Sequence, residues 1–172
     1  MLERAPQVKT RAMNAGVAFE NLVTVLAADP ETQPDVAPND LQVARQMAAR
    51  VGRGMPQVRA TKEVEIAGMP IQLAGVADWL GAGVISDIKR VQRYEYGKYQ
   101  FSAQHPMYLE LFPEAMRFDY LIYDGQFSYM ETYRRGDCRP IEEIGGAFLR
   151  YLEETHLMDI YKEKWEVKTN GV

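Results

Sequence analysis

Asp78, Asp87 and Lys89 are the residues of this chain best placed to do chemistry. They lie in AGVADWLGAGVISDIKR, residues 74–90, where two short apolar runs flank a Gly-Ala-Gly turn. Apolar runs about a glycine turn read as a β-hairpin. A turn centred between Ala82 and Gly83 sets Asp78 opposite Asp87, with Cβ atoms about 5 Å apart. Facing carboxylates repel each other unless a cation lies between them. The period of two along a strand puts Asp87 and Lys89 on one face and Ile88 on the other. Two hard oxygen donors beside an amine suit a divalent cation. The amine can then orient a water or offset charge on a reacting group. The same residues also fit a plainer arrangement, acids at strand ends near a turn with Lys89 salt-bridged to one of them.

The elements that must position these groups follow from periodicity. Residues 11–28 read as a helix, with Phe19, Leu22, Val23 and Leu26 on one apolar stripe. A proline-rich loop, 29–39, leads to a second helix through about Arg50, capped by Asn39 or Asp40. VGRGMPQ breaks that helix, and strands are expected over 58–66, 71–80 and 84–89 as an antiparallel meander. Residues 96–112 read as a helix, continuous or interrupted near Pro106. A hairpin follows about the turn pair Asp124-Gly125, and a last amphipathic helix over about 140–156 carries Ile144, Phe148, Leu149 and Leu152. This order predicts one mixed α/β domain spanning 1–172.

Composition narrows the classes. The chain has 172 residues, 47% hydrophobic and 26% charged, enough for one well-formed core. A lone cysteine, Cys138, excludes a disulfide framework, a zinc finger and a four-cysteine cluster within one chain and points to a reducing, cytoplasmic setting. No apolar run approaches the roughly 18 residues of a membrane span, and the first stretch lacks a signal-peptide pattern. The net charge of −4 argues against a protein that coats nucleic acid by charge alone, but not against an enzyme with a local basic rim.

Beyond these residue-by-residue readings, four segments together resemble a known family. Gly75-Val76-Ala77-Asp78 followed by Ile85-Ser86-Asp87-Ile88-Lys89 resembles the core of the PD-(D/E)xK nuclease superfamily. Gln104-His105-Pro106-Met107-Tyr108 resembles the Gln-x-x-x-Tyr motif of its RecB-type and phage exonuclease branch, and Gly16-Val17-Ala18-Phe19-Glu20 the helix-borne acid of that branch. The motifs occur in the family's order, with alanine in place of the common proline before Asp78. The resemblance implies a restriction-endonuclease-like α/β core, a mixed β-sheet flanked by helices.

It also implies roles. Asp78 and Asp87 would bind Mg²⁺ or Mn²⁺ with the Ile88 carbonyl, and Glu20 would serve as a direct or water-mediated ligand. Lys89 would position or help activate the attacking water. Gln104 and Tyr108 would line the site and contact substrate backbone or the lysine and water; Tyr108 equally fits a core position. In KRVQRYEYGKYQ, Arg90, Arg93 and Lys98 interleave with Tyr94, Tyr96 and Tyr99, which fits a phosphate- and base-binding surface or a solvated loop with packed tyrosines. Arg11 and Lys9 could also reach phosphates. His105 and His156 show no ligand spacing.

The expected activity is metal-dependent DNA hydrolysis, with an exonuclease of recombination, repair or phage DNA processing favoured. A structure-selective or restriction-type endonuclease, or a non-cutting DNA-binding module, is the alternative. The expected partner is DNA, a double-stranded or single-stranded end. A second copy of the chain or a recombination partner protein could accompany it, without a membrane, in the cytoplasm or in a host's cytoplasm if the protein is viral.

Overall fold

The computed structural model describes residues 10–165. Helix α1 (Arg11–Ala28) is capped by Thr10, whose side chain accepts the Met13 amide at 3.2 Å, and it buries Phe19, Val23 and Leu26. Lys9 lies outside the described residues. Helix α2 (Pro38–Val51) departs from expectation at its start. Neither Asn39 nor Asp40 caps it, because Pro38 opens the helix and both residues fall inside the first turn. Their side chains instead reach the sheet, where both meet the Tyr123 hydroxyl.

Strand β1 (Gly54–Ile66) begins four residues earlier than the breaker-rich VGRGMPQ suggested. The reason is a close approach: a Cβ at Gly54 would stand 2.4 Å from Trp79 Nε1 and 2.5 Å from the Leu80 carbonyl oxygen. A glycine that reads as a break is what lets the strand continue there. Strands β2 (Met69–Gly81) and β3 (Val84–Arg90) complete the expected meander, with Ala67 and Gly68 making a two-residue turn at positive φ between β1 and β2.

The chain then crosses to β4 (Arg117–Tyr123), which pairs with β3 in parallel, and returns along β5 (Ser128–Arg134) antiparallel to β4. A parallel pair needs such a crossover. Its helix is shorter than the pattern from 96 to 112 implied: α3 covers only Gln104–Leu111, with Pro106 in its first turn, where no helical hydrogen bond is lost. The far end of α3 is held by Arg135, whose guanidinium donates to the carbonyls of Leu109, Phe112, Pro113 and Ala115. The β4–β5 turn also differs from the two-residue expectation. The register pairs Tyr123 with Ser128, so four residues turn, with the Asp124 carboxylate accepting the Gln126 and Phe127 amides.

The result is a five-stranded mixed sheet in the order β1-β2-β3-β4-β5, flanked by helices in an α/β domain whose layout agrees with a restriction-endonuclease-like core. On one face α1 and α2 bury Phe19, Val23, Leu26, Val43 and Met47 against Trp79, Ile88, Leu121 and Tyr123. On the other, Leu109 and Leu111 of α3 pack with Leu80, Ile85, Phe118, Tyr120 and Ile122. Helix α4 (Ile141–Glu154) closes over the β1–β2 hairpin through Leu149, Leu152 and Ile66. Of its expected apolar positions, Phe148 is exposed. A further helix, α5 (Met158–Trp165), follows it.

Candidate active site

The β2–β3 ladder runs from Gly81↔Val84 to Trp79↔Ser86 and stops. One more step in that register would set Asp78 against Asp87. There the side chain takes over from the backbone: Asp78 Oδ2 accepts the Ile88 amide at 2.9 Å. The hairpin is therefore unzipped at its acidic end, and the aspartates do not form the directly paired cross-strand couple that the sequence suggests.

Asp87 is 5% exposed, in the middle of the sheet. It pairs in register with Tyr120, and Lys89 with Ile122, so the two share the α3 face while Ile88 packs under α1 and α2, as the period of two requires. Asp87 Oδ1 accepts from Lys89 Nζ at 2.9 Å and from Gln104 Nε2, which the first turn of α3 delivers. Oδ2 also lies 2.8 Å from the ammonium, but off the hydrogen-bond axis; it is buried and accepts no hydrogen bond. The ion pair and the two hydrogen bonds offset much of the cost of burying this carboxylate, and a further positive charge beside Oδ2 would offset more.

The electrostatics carry the same strain. Burial first, and then the Asp87 charge, push the Asp78 carboxyl up to about 7, against the pull of the Ile88 amide. Glu20, on α1, is raised by burial and by Asp87, with Lys89 and a hydrogen bond from Gln57 pulling the other way. For Lys89, burial opposes the charge, yet Asp87 and Asp78 outweigh it and its pKa is raised. The two carboxylates thus favour the protonated form of the lysine. Three acids against one ammonium leave a surplus of negative charge, which a proton or a hard divalent cation can offset.

The donor set suits such an ion in chemistry, since Asp78 and Asp87 offer hard oxygens and Asp87 Oδ2 lacks a hydrogen-bond donor. It is not a finished cage. Among the described residues, no three His, Cys, Asp or Glu side chains stand together in metal-binding array. Asp78 and Asp87 would be the holders, with Glu20 joining from α1. Gly16, one turn before Glu20, has open space around it.

Gln104 is found on Asp87, as described. Tyr108 is committed elsewhere: its hydroxyl donates to the Val76 carbonyl at 2.9 Å and accepts the Val76 amide at 3.2 Å. It braces β2 two residues before Asp78, and its ring needs the missing side chain of Gly75, where a Cβ would stand 3.0 Å from Tyr108 Cζ.

Arg11, Arg90, Arg93 and Lys98 come together around an open cleft of about 670 Å³. Arg90 lies over the Tyr123 ring, 5.6 Å from its centroid, and within 3.5 Å of Asp40. Arg93 is exposed and pairs with Glu95. The tyrosines of that segment divide. Tyr94 bonds Glu131 and packs on Tyr129, and Tyr99 stacks on Tyr120 at 4.4 Å, so neither offers a free face. Tyr96, 91% exposed, does, and so does Phe101 at 78%, which the sequence pattern did not single out. His105 is buried, stacks on Tyr133 at 4.0 Å, and is held down to about 4 by burial. The residues that sequence reasoning missed are Gln57, hidden in an apparent helix breaker, and the Asn39–Asp40–Tyr123 group beneath Arg90.

No protein-family model matches the chain, and no curated protein matches it. Among solved structures the chain is similar to the crystal structure of SSO0001, at 16% identity and a TM-score of 0.48, over 87% of this chain and 79% of that one.

Proposed function

We propose that this chain is a metal-dependent deoxyribonuclease that hydrolyses phosphodiester bonds with Mg²⁺ or Mn²⁺, an exonuclease being favoured over a structure-selective or restriction-type endonuclease. The observation that supports the reading most is the buried Asp87 carboxylate, ion-paired to Lys89 and close enough to Asp78 and Glu20 for its charge to raise both of them. Preference for an exonuclease rests on the resemblance of Glu20, Gln104 and Tyr108 to that branch. When bound, a divalent cation would supply Lewis-acid stabilisation of the phosphoryl oxygens and a more acidic water.

The chain's own residues do the rest. Lys89, held by Asp87, keeps its proton and stabilises negative charge as it builds on the phosphorus-bound oxygens. Gln104 fixes the rotamer of Asp87, and Tyr108 fixes the β2 backbone that carries Asp78. Arg11, Arg90 and Arg93 would take the neighbouring phosphates of a DNA end, with Tyr96 and Phe101 available to stack on bases. A homo-oligomer or a recombination partner, in a cytoplasmic setting, belongs to the same proposal. Among the described residues, no helix is long and apolar enough to cross a membrane.

A second reading has its own support. Lys89 and Gln104 both saturate Asp87 Oδ1, as they would in a polar knot that binds DNA without cutting. The test is digestion of end-labelled linear and closed circular DNA with Mg²⁺ or Mn²⁺, wild type beside Lys89→Ala. Loss of linear DNA alone, abolished by the substitution, is the expected result. Cutting of circles would make it an endonuclease. Binding without cutting under either metal would leave the non-cutting module.

A further inference from the structure

Four cations line the cleft beside α1, and one of them is held differently from the rest. Arg11, Arg93 and Lys98 are exposed, whereas Arg90 is half-buried. Its guanidinium lies 5.6 Å from the centroid of the Tyr123 ring, the residue it faces across the β3–β4 ladder. That ring is fully buried and packs on Phe19 of α1 at 5.0 Å, so packing fixes the platform. Asp40 meets the guanidinium from α2, with Oδ2 3.5 Å from one terminal nitrogen. The carboxylate is itself tied down: Oδ1 accepts the Tyr123 hydroxyl at 2.7 Å, and that hydroxyl accepts the Asn39 amide at 2.9 Å. One tyrosine thus supports Arg90 with its face and Asp40 with its hydroxyl. The cleft is lined by Arg90 and not by Asp40, which puts the carboxylate behind the cation. At 3.5 Å the contact is long and single, so the remaining terminal N–H groups are left for a second anion.

We propose that Asp40 is a positioning residue for Arg90, holding its guanidinium against Tyr123 so that it stands in the basic cleft already aligned for a DNA phosphate. The proposal rests on the reading of that cleft as the DNA path and needs no cation at the acidic hairpin. Asp40 itself touches no DNA. A long arginine left free must be ordered when a phosphate arrives, and ordering it beforehand removes that cost from binding. The sign of the effect is what distinguishes the role. An acid near a DNA path repels phosphates, so deleting it tightens binding unless it orients a cation that matters more. An acid in the first turn of α2 also favours the helix, which is the plainer role the experiment must separate.

The test is fluorescence anisotropy of the full chain on fluorescein-labelled linear DNA in chelator, over a salt series, with Asp87→Asn present throughout to exclude cutting. Asp40→Asn, which keeps the shape, and Arg90→Gln are measured singly and together. Tyr123→Phe frees Asp40 but keeps the ring, and it tests the same link should Asp40→Asn fold poorly. Arg90→Gln is expected to lower the salt dependence by about one ion. Asp40→Asn and Tyr123→Phe are each expected to weaken binding about threefold while Arg90 is present, and Asp40→Asn to leave it unchanged or tighter once Arg90→Gln is in place. Unchanged or tighter binding in Asp40→Asn with Arg90 present would overturn the role of Asp40 and leave the cleft as the DNA path. Equal weakening with and without Arg90 would make Asp40 a helix residue only and overturn the proposal. Unchanged affinity and salt dependence in Arg90→Gln would remove Arg90 from the DNA path and the proposal with it. Absence of DNA binding by the parent chain would remove the DNA reading and the proposal together.

Discussion

Asp78→Asn tests the stored electrostatic strain, because the substitution keeps the shape and the oxygen that accepts the Ile88 amide but removes the charge. In the folded chain the carboxyl is raised from 3.8 to about 7, chiefly by burial and next by Asp87. A raised acid binds its proton more tightly folded than unfolded. Its contribution to stability is then complete below the unfolded pKa, declines as pH climbs, and is gone above the folded value. At about 1.4 kcal/mol for each pH unit, the ceiling is about 4 kcal/mol. Asp78 and Lys89 are only half-buried and Asp78 titrates with its neighbours, so about 2 kcal/mol is the working figure. For a chain of this size that corresponds to a rise of about 4–8 °C in melting temperature. The assay is denaturation of wild type and Asp78→Asn in chelator from about pH 3.5 to about pH 8, spanning the window between the unfolded and folded values in which the difference should open. The variant should match wild type at the acid end and exceed it at the alkaline end, and Mn²⁺ should stabilise wild type alone. A difference that does not grow with pH, or a variant less stable than wild type at alkaline pH, would refute the argument that burial and like charge strain this site.

Two further outcomes follow from the packing and the basic cleft. Tyr108→Phe removes both hydrogen bonds to Val76 and should cost about 1–2 kcal/mol in urea denaturation. It should also weaken Mn²⁺ binding, since the loosened strand carries Asp78; a variant as stable as wild type would show that the hydroxyl braces nothing. Arg11→Ala and Arg93→Ala, measured by fluorescence anisotropy on DNA with the inactive Asp87→Asn background, should each lower the salt dependence of binding by about one ion. A slope unchanged in both would place the phosphate path elsewhere.

How much of this was legible in the residues depends on the range over which each signal acts. The first helix, the meander and the shared face of Asp87 and Lys89 follow from local periodicity, which side-chain alternation and helical stripes impose whatever the chain packs against. Gly54 and Gln57 could not be read that way. A glycine followed two residues later by proline looks like the end of a helix. Only the nearness of Trp79 and Leu80 makes it the start of a strand. The loop from 91 to 103 shows the same limit: alternating basic and aromatic residues suggested one stacking surface, but Glu131, Tyr120 and Tyr129 claim Tyr94 and Tyr99 from strands far along the chain.

By itself the sequence determined the α/β order of elements, the acidic hairpin and the identity of its acids and lysine, because these depend on residue type and on spacing of a few positions. Tertiary structure decided the rest. It ended the ladder before Asp78, buried Asp87 with one oxygen lacking a hydrogen bond, tied Tyr108 to the β2 backbone and brought Gln57 to Glu20 across 37 residues of chain. Each of those outcomes depends on which distant groups exclude water from a given atom, and burial of that kind is a property of the packed chain, not of any local run of residues.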